Sequence, residues 1–185
     1  MRISHRHKFV FISNPKCATE TIRLFLDEHS DIKSTHSGPF RHHVQAKVLM
    51  KHFYELGWEW GKYFKFGTIR NPWARAVSQF FYHKKQKESP EWILSESEKL
   101  HHLHSNFFFL SKEKEMLMDK IIKVEDLETE MAKVCDVLNI PMKPIGVINS
   151  TRHDHYVKYY TKETIQKIEE LFQFDIEIGN YKFGQ

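Results

Sequence analysis

At 185 residues, 41% of them hydrophobic and 28% charged, the chain has room for one complete core and too little for two ordinary domains, so a single domain over residues 1–185 is expected. The net charge of +4 mildly favours anionic ligands without the density of a nucleic-acid arm, and the one basic run, Lys84-Lys85-Gln86-Lys87, reads as a solvated helix end. Cys17 and Cys135 give neither a disulfide framework nor a zinc set, and no apolar run has bilayer length or the form of a signal-peptide core; the expectation is a cytoplasmic protein with no membrane span and no nucleic-acid partner.

The basic residues Met1 to Lys8 lead straight into a β-prone run, Phe9 to Ile12. Asn14-Pro15 breaks that run, and Ile22, Phe25 and Leu26 then recur at helical spacing, which reads as strand, tight loop, helix. Ser30 to Arg41 is a loop by composition, and a second helix carries Leu49, Phe53 and Leu56 before Gly57. Tyr63 to Ile69 is a second β-prone run that stops at Arg70-Asn71-Pro72, and Trp73, Ala76, Val77, Phe80 and Phe81 form the apolar stripe of a third helix. Lys84 to Ser111 is the least patterned part and reads as an insertion or lid. Lys120 to Val124 looks like a buried strand, Asp126 can cap the helix carrying Leu127, Met131, Val134, Cys135 and Leu138, Pro141 to Ile148 is extended, and Asn149 to Tyr160 is a polar and aromatic loop. Thr161 caps a last helix with Ile165, Ile168, Leu171 and Phe172. Strands alternating with helices predict an α/β layer fold whose central sheet is mostly parallel, with ligands beyond the carboxyl ends of the strands.

Both strand-turn-helix units place a cation at that edge. In the first, Lys16, Ala18, Thr19 and Thr21 can bring an ammonium, backbone N–H groups and hydroxyls to one phosphate. The loop has no glycine and its lysine leads rather than closes it, which argues against an ordinary ATP-binding P-loop. In the second, Arg70 and Ser78 can grip one anion together. Two anion corners on neighbouring strands suggest a ligand with two separated phosphates.

Those residues carry a resemblance. Asn14-Pro-Lys-Cys-Ala-Thr-Glu-Thr-Ile22 resembles the 5′-phosphosulfate loop of sulfotransferases, and Thr68-Ile-Arg-Asn-Pro-Trp-Ala-Arg-Ala-Val-Ser78 resembles their 3′-phosphate motif. The similarity extends to Tyr63-Phe-Lys-Phe66, Val124-Glu-Asp-Leu127, Asn149-Ser150 and Tyr159-Tyr-Thr161, and in pattern it is nearest to short soluble members of the carbohydrate 2-O-sulfotransferase branch. It implies a P-loop-like three-layer α/β fold, the donor 3′-phosphoadenosine 5′-phosphosulfate, and sulfuryl transfer without a metal to a hydroxyl or amine of an acceptor, carbohydrate being the acceptor class of that branch, leaving adenosine 3′,5′-bisphosphate. By the same resemblance Lys16, Cys17, Ala18, Thr19, Glu20 and Thr21 hold the 5′ end, Arg70 and Ser78 the 3′-phosphate, and Asn149, Thr151 and Arg152 belong to a loop closing on the nucleotide. Lys16 also neutralises the leaving oxygen.

Glu20 departs from the family pattern, since its carboxylate would repel the donor if it pointed inward; a solvent- or substrate-facing position at the first helical turn is the easier reading. The branch places a histidine base shortly before the second helix, which His43-Val-Gln-Ala-Lys47 matches, with His42 the adjacent alternative. The same residues allow rival readings. One is a nucleotide- or polyanion-binding module without turnover. The other is a phosphatase built on Cys17 and Arg23, whose Cys-x5-Arg spacing would make Cys17 a nucleophile.

Overall fold

The computed structural model describes residues 1–82, 97–146 and 154–185. Five strands form one sheet: β1 (Arg2–Ser4), β2 (Phe9–Ile12), β3 (Ile32–Lys33), β4 (Phe64–Ile69) and β5 (Lys120–Lys123), in the order β3-β1-β2-β4-β5. β2 pairs parallel with β4 and β4 with β5, whereas β1 is antiparallel to both β2 and β3, so every strand but β1 runs the same way. The sheet is mostly parallel, as expected. The opening residues are more than a basic lead-in, because Arg2 to Ser4 turn back through a tight connection to pair with Phe9 to Phe11.

Side-chain alternation along the strands builds a core on each face. Phe9, Phe11, Phe66 and Ile122 pack against Ile22 and Leu26 of α1 (Thr19–Leu26) and against Met131, Val134, Cys135 and Leu138 of α5 (Leu127–Leu138). Val10, Ile12 and Ile69 face the larger core, where α2 (Ala46–Glu55) contributes Leu49 and Phe53, and α3 (Pro72–Tyr82) contributes Trp73, Ala76, Val77 and Phe80. Helix, sheet, helix is thus the layer order. The parallel pairing of β2 and β4 over four residue pairs, ending with Ile12 opposite Gly67, brings two loops and two helix starts to one edge of the sheet.

Several expectations are corrected. Of residues 84–111, read as an insertion or lid, the described part leaves His101, His102, Asn106 and Phe107 exposed and sends Leu100, Leu103, Phe108 and Phe109 into the larger core, the last two from the short helix α4 (Ser105–Phe109). Gly67 makes room for it, because a Cβ there would lie 2.6 Å from Phe109 Cε1. β5 is the edge of the sheet, and Ile122 is its one fully covered side chain. Asp126 stands at the cap position of α5 without a side-chain capping bond. Thr161 does cap α6 (Lys162–Leu171), in a reciprocal pair with Thr164, but the chain breaks at Phe172 and starts a further helix, α7 (Gln173–Gly179). Pro141 to Gly146 has no regular structure.

Candidate functional site

The first corner is the loop from Ser13 to Ala18, between β2 and α1. Lys16 and Ala18 adopt left-handed φ values of 61° and 52°, a conformation that costs a non-glycine residue roughly 1 kcal/mol or more. Ala18 has no side chain able to cap the helix, and the first helical bond runs from Ile22 N to Ala18 O at 3.2 Å, so the amides of Thr19 and Glu20 have no intrahelical carbonyl to bond. Left-handed turns of this kind curl amides towards one point, which favours an anion. Lys16 Nζ stands 4.1 Å over the ring of Tyr82, the last residue of α3.

What holds this loop is a buried polar network. Arg75 is fully buried; its Nε donates to Pro15 O at 2.9 Å, Nη2 to Asn14 Oδ1 at 2.6 Å, and Nη1 to Ser105 Oγ and Asp175 Oδ1, each at 3.1 Å. Asn14 Nδ2 donates to Thr68 O at 3.0 Å and to Ser105 Oγ at 2.7 Å. Ser105 in turn donates its hydroxyl to Asp175 Oδ1 and its amide to Asp175 Oδ2. Burial pushes the Asp175 carboxyl up against the opposing pull of Arg75 and Ser105. Thr68 Oγ1 completes the frame by donating to Cys17 O at 2.8 Å.

The second corner follows β4. Asn71 caps α3, its Oδ1 accepting from Ala74 N at 3.1 Å, and Pro72 fills the first helical position. Glu125 accepts from Asn71 N and from the Tyr181 hydroxyl, each at 2.8 Å. Ser78 is buried one turn along α3 from Arg75. Arg70 is half-buried at the strand end. Desolvation first, and the Arg70 charge second, hold Lys16 below its ordinary lysine value. Among the described residues neither has a carboxylate partner.

The family model described as "Sulfotransferase family" matches residues 1–182. The chain belongs to the sulfotransferase family. Sulfuryl transfer is that family's general chemistry. Among solved structures, the chain is similar to mouse sulfotransferase SULT7A1 complexed with PAP, with a TM-score of 0.58 and 14% identity over 96% of this chain and 89% of that one. At that identity the likeness speaks for the fold. None of the curated proteins matches.

In this sulfotransferase the two candidate histidines differ in what their ring nitrogens do. His43 lies at the surface with Nδ1 2.9 Å from Ser13 O, a carbonyl that can only accept, so Nδ1 carries the proton and Nε2 keeps its lone pair. Its pKa is lowered by desolvation, against the Ser13 bond, with help from the positive charges of the amino terminus, Arg23 and Arg75. His42 Nδ1 is instead occupied by the Arg23 guanidinium and by Ser34 Oγ, 2.8 Å away.

Arg23 also pairs with Glu20, three residues earlier on α1, and that pairing turns the acidic side chain along the helix rather than leaving it unpaired beside the loop. The phosphatase reading fails on the same geometry. Cys17 is fully buried, and burial pushes its thiol up to about 11, where it is no thiolate at neutral pH. Arg23, its supposed partner, is committed to Glu20 and His42.

Asn149, Thr151 and Arg152 lie outside the described residues. Among the described residues no three His, Cys, Asp or Glu side chains group to hold a metal, and no helix is long and apolar enough to cross a membrane. Sequence reading missed Arg75, Ser105 and Asp175; the available signal was an arginine placed within the apolar stretch of α3.

Proposed function

We propose that this sulfotransferase takes 3′-phosphoadenosine 5′-phosphosulfate as donor and transfers its sulfuryl group to a hydroxyl, or an amine, of an acceptor, with carbohydrate as the favoured acceptor class. The observation that carries this reading is that Lys16 and Arg70 follow the neighbouring parallel strands β2 and β4 at the same edge of the sheet, each without a carboxylate partner among the described residues. An anion with two charged ends fits that arrangement. The mouse neighbour's complex with PAP supports the same ligand class.

When bound, the donor supplies the sulfuryl group and a phosphate leaving group. Lys16, the loop from Cys17 to Glu20 and the Thr21 hydroxyl hold its 5′ end. Arg70 and Ser78 hold the 3′-phosphate, and the resemblance assigns Asn149, Thr151 and Arg152 to the nucleotide as well. Lys16 offsets charge on the bridging oxygen as its bond to sulfur breaks. His43 accepts the acceptor proton on Nε2 as the new sulfur–oxygen bond forms, while Ser13 O fixes the tautomer. Because His43 is held below the ordinary histidine value, its base form persists through neutral pH, and turnover falls only on the acid side of about 6.5.

Calorimetric titration with adenosine 3′,5′-bisphosphate tests the site: Lys16→Ala and Arg70→Ala should each weaken binding about tenfold or more. Parent-like binding by both would overturn it. His43→Ala should spare binding and cut turnover by roughly two to four orders of magnitude. The acceptor is identified by mass spectrometry of the product formed from labelled donor and a fractionated extract. Bisphosphate binding with no sulfated product from any fraction would favour a module without turnover.

A further inference from the structure

We propose that Arg75 is the positioning residue that fixes the spacing between the two anion corners, so that the site favours a ligand carrying both phosphates over one carrying a single phosphate. The inference rests on the nucleotide reading above.

Arg75 belongs to the same helix as Ser78, five residues after Arg70, yet its guanidinium is spent on the other corner. Nε binds Pro15 O and Nη2 binds Asn14 Oδ1, the two residues immediately before Lys16. One side chain thus ties the body of α3 to the first loop. The loop needs such a tie, because it has no glycine and still places Lys16 and Ala18 in the left-handed region. Asp175 balances the charge and Ser105 bridges both partners, so every nitrogen of the fork is bonded and the group is held in one orientation.

Arginine is suited to this for a geometric reason. A planar fork reaches acceptors in several fixed directions, whereas a lysine ammonium at the same place is a single point that cannot serve Pro15 O, Asn14 Oδ1 and Asp175 together. The functional consequence is one of divalent binding. Two phosphates gain over one only when their sites are held at the ligand's own spacing, and a loosened spacing forfeits the second contact while leaving each site able to bind alone. A residue that merely supported the fold would weaken all ligands alike.

The test compares the full-length parent, Arg75→Lys and Asn14→Ala by calorimetry below each variant's unfolding temperature, using adenosine 3′,5′-bisphosphate and adenosine 3′-monophosphate. Both variants should bind the bisphosphate about tenfold or more weakly, while the 3′-monophosphate, held by Arg70 and Ser78, stays within about threefold of the parent. Asn14→Ala cuts the tether from the loop side and keeps the arginine, so it serves should Arg75→Lys fail to fold. Equal losses for the two ligands, or unchanged bisphosphate binding, would overturn the spacing role and leave the nucleotide reading standing. A parent that binds the bisphosphate no better than the monophosphate would overturn that reading and the inference with it.

Discussion

At the second corner Asn71 and Pro72 write the start of α3 into adjacent residues, through a side-chain cap and a fixed φ, whereas the first corner is held by Thr68, Arg75 and Ser105, 51 to 91 positions away. Asn14 and Pro15 are gripped by Arg75, and Arg75 is balanced by Asp175 near the far end of the chain. The contrast has a physical source. A cap needs one oxygen and one nearby amide, and any helix can supply them. A glycine-free loop with left-handed residues has no local bond of that kind, and here a desolvated charge network from three helices supplies the constraint. The start of α3 is therefore written mainly in its own residues, with Glu125, Tyr156 and Gln185 as added partners of Asn71, and the first loop reports on the packing of α3, α4 and α7.

Asp175→Leu should break the contrast most severely. It leaves the Arg75 charge buried without a counterion, and urea unfolding should show a loss of about 3–5 kcal/mol. A loss below about 1 kcal/mol would mean that the first loop holds itself. Asn71→Ala attacks the locally written corner. It removes the α3 cap together with contacts to the Tyr156 hydroxyl and Gln185 O, and should cost roughly 1–2 kcal/mol in the same measurement.

Acid should act first on the side that depends on distant residues. His104 directly precedes Ser105, packs edge-on against Phe172, and its Nε2 is buried without a hydrogen-bond partner among the described residues. Burial, with the neighbouring His101 and Arg75 charges, lowers its pKa to about 4. The unfolded chain, with an ordinary histidine, takes up the proton first, so this contribution is complete above about pH 6.5 and is lost as pH falls towards the folded value. Between pH 7 and 5 the unfolding free energy should drop by about 1 kcal/mol from this group, after allowance for solvent screening, and His104→Phe should flatten that slope. An unchanged slope would place the acid sensitivity elsewhere. The smallest effect is expected at Cys17→Ala, where turnover per folded molecule should stay within about twofold because the thiol takes no part. Loss of several orders of magnitude would restore the covalent reading.

Much of the site could be read before any coordinates. Phe9 to Ile12 followed by Asn14-Pro15 announced a strand and a turn, and the structure places Lys16 after β2, Arg70 after β4 and His43 just before α2, where the pattern put them. Glu20 did not resolve in one dimension, because its answer is a partner one turn along α1, which the spacing allows without requiring. The difference in surroundings between His42 and His43 also needed three dimensions. Both are neighbours in sequence, and only the Arg23 and Ser34 contacts of one, and the Ser13 contact of the other, tell them apart.

Sequence alone determined the features that depend on nearest neighbours: hydrophobic period, turn residues, the α3 cap, and the placing of a cation after each of two strands. Tertiary structure decided whatever depends on charge taken out of water. The fully buried Arg75 and Asp175 are acceptable only as partners, and their pairing across the chain has no period or motif to betray it, since burial and geometry exist only once the helices have packed.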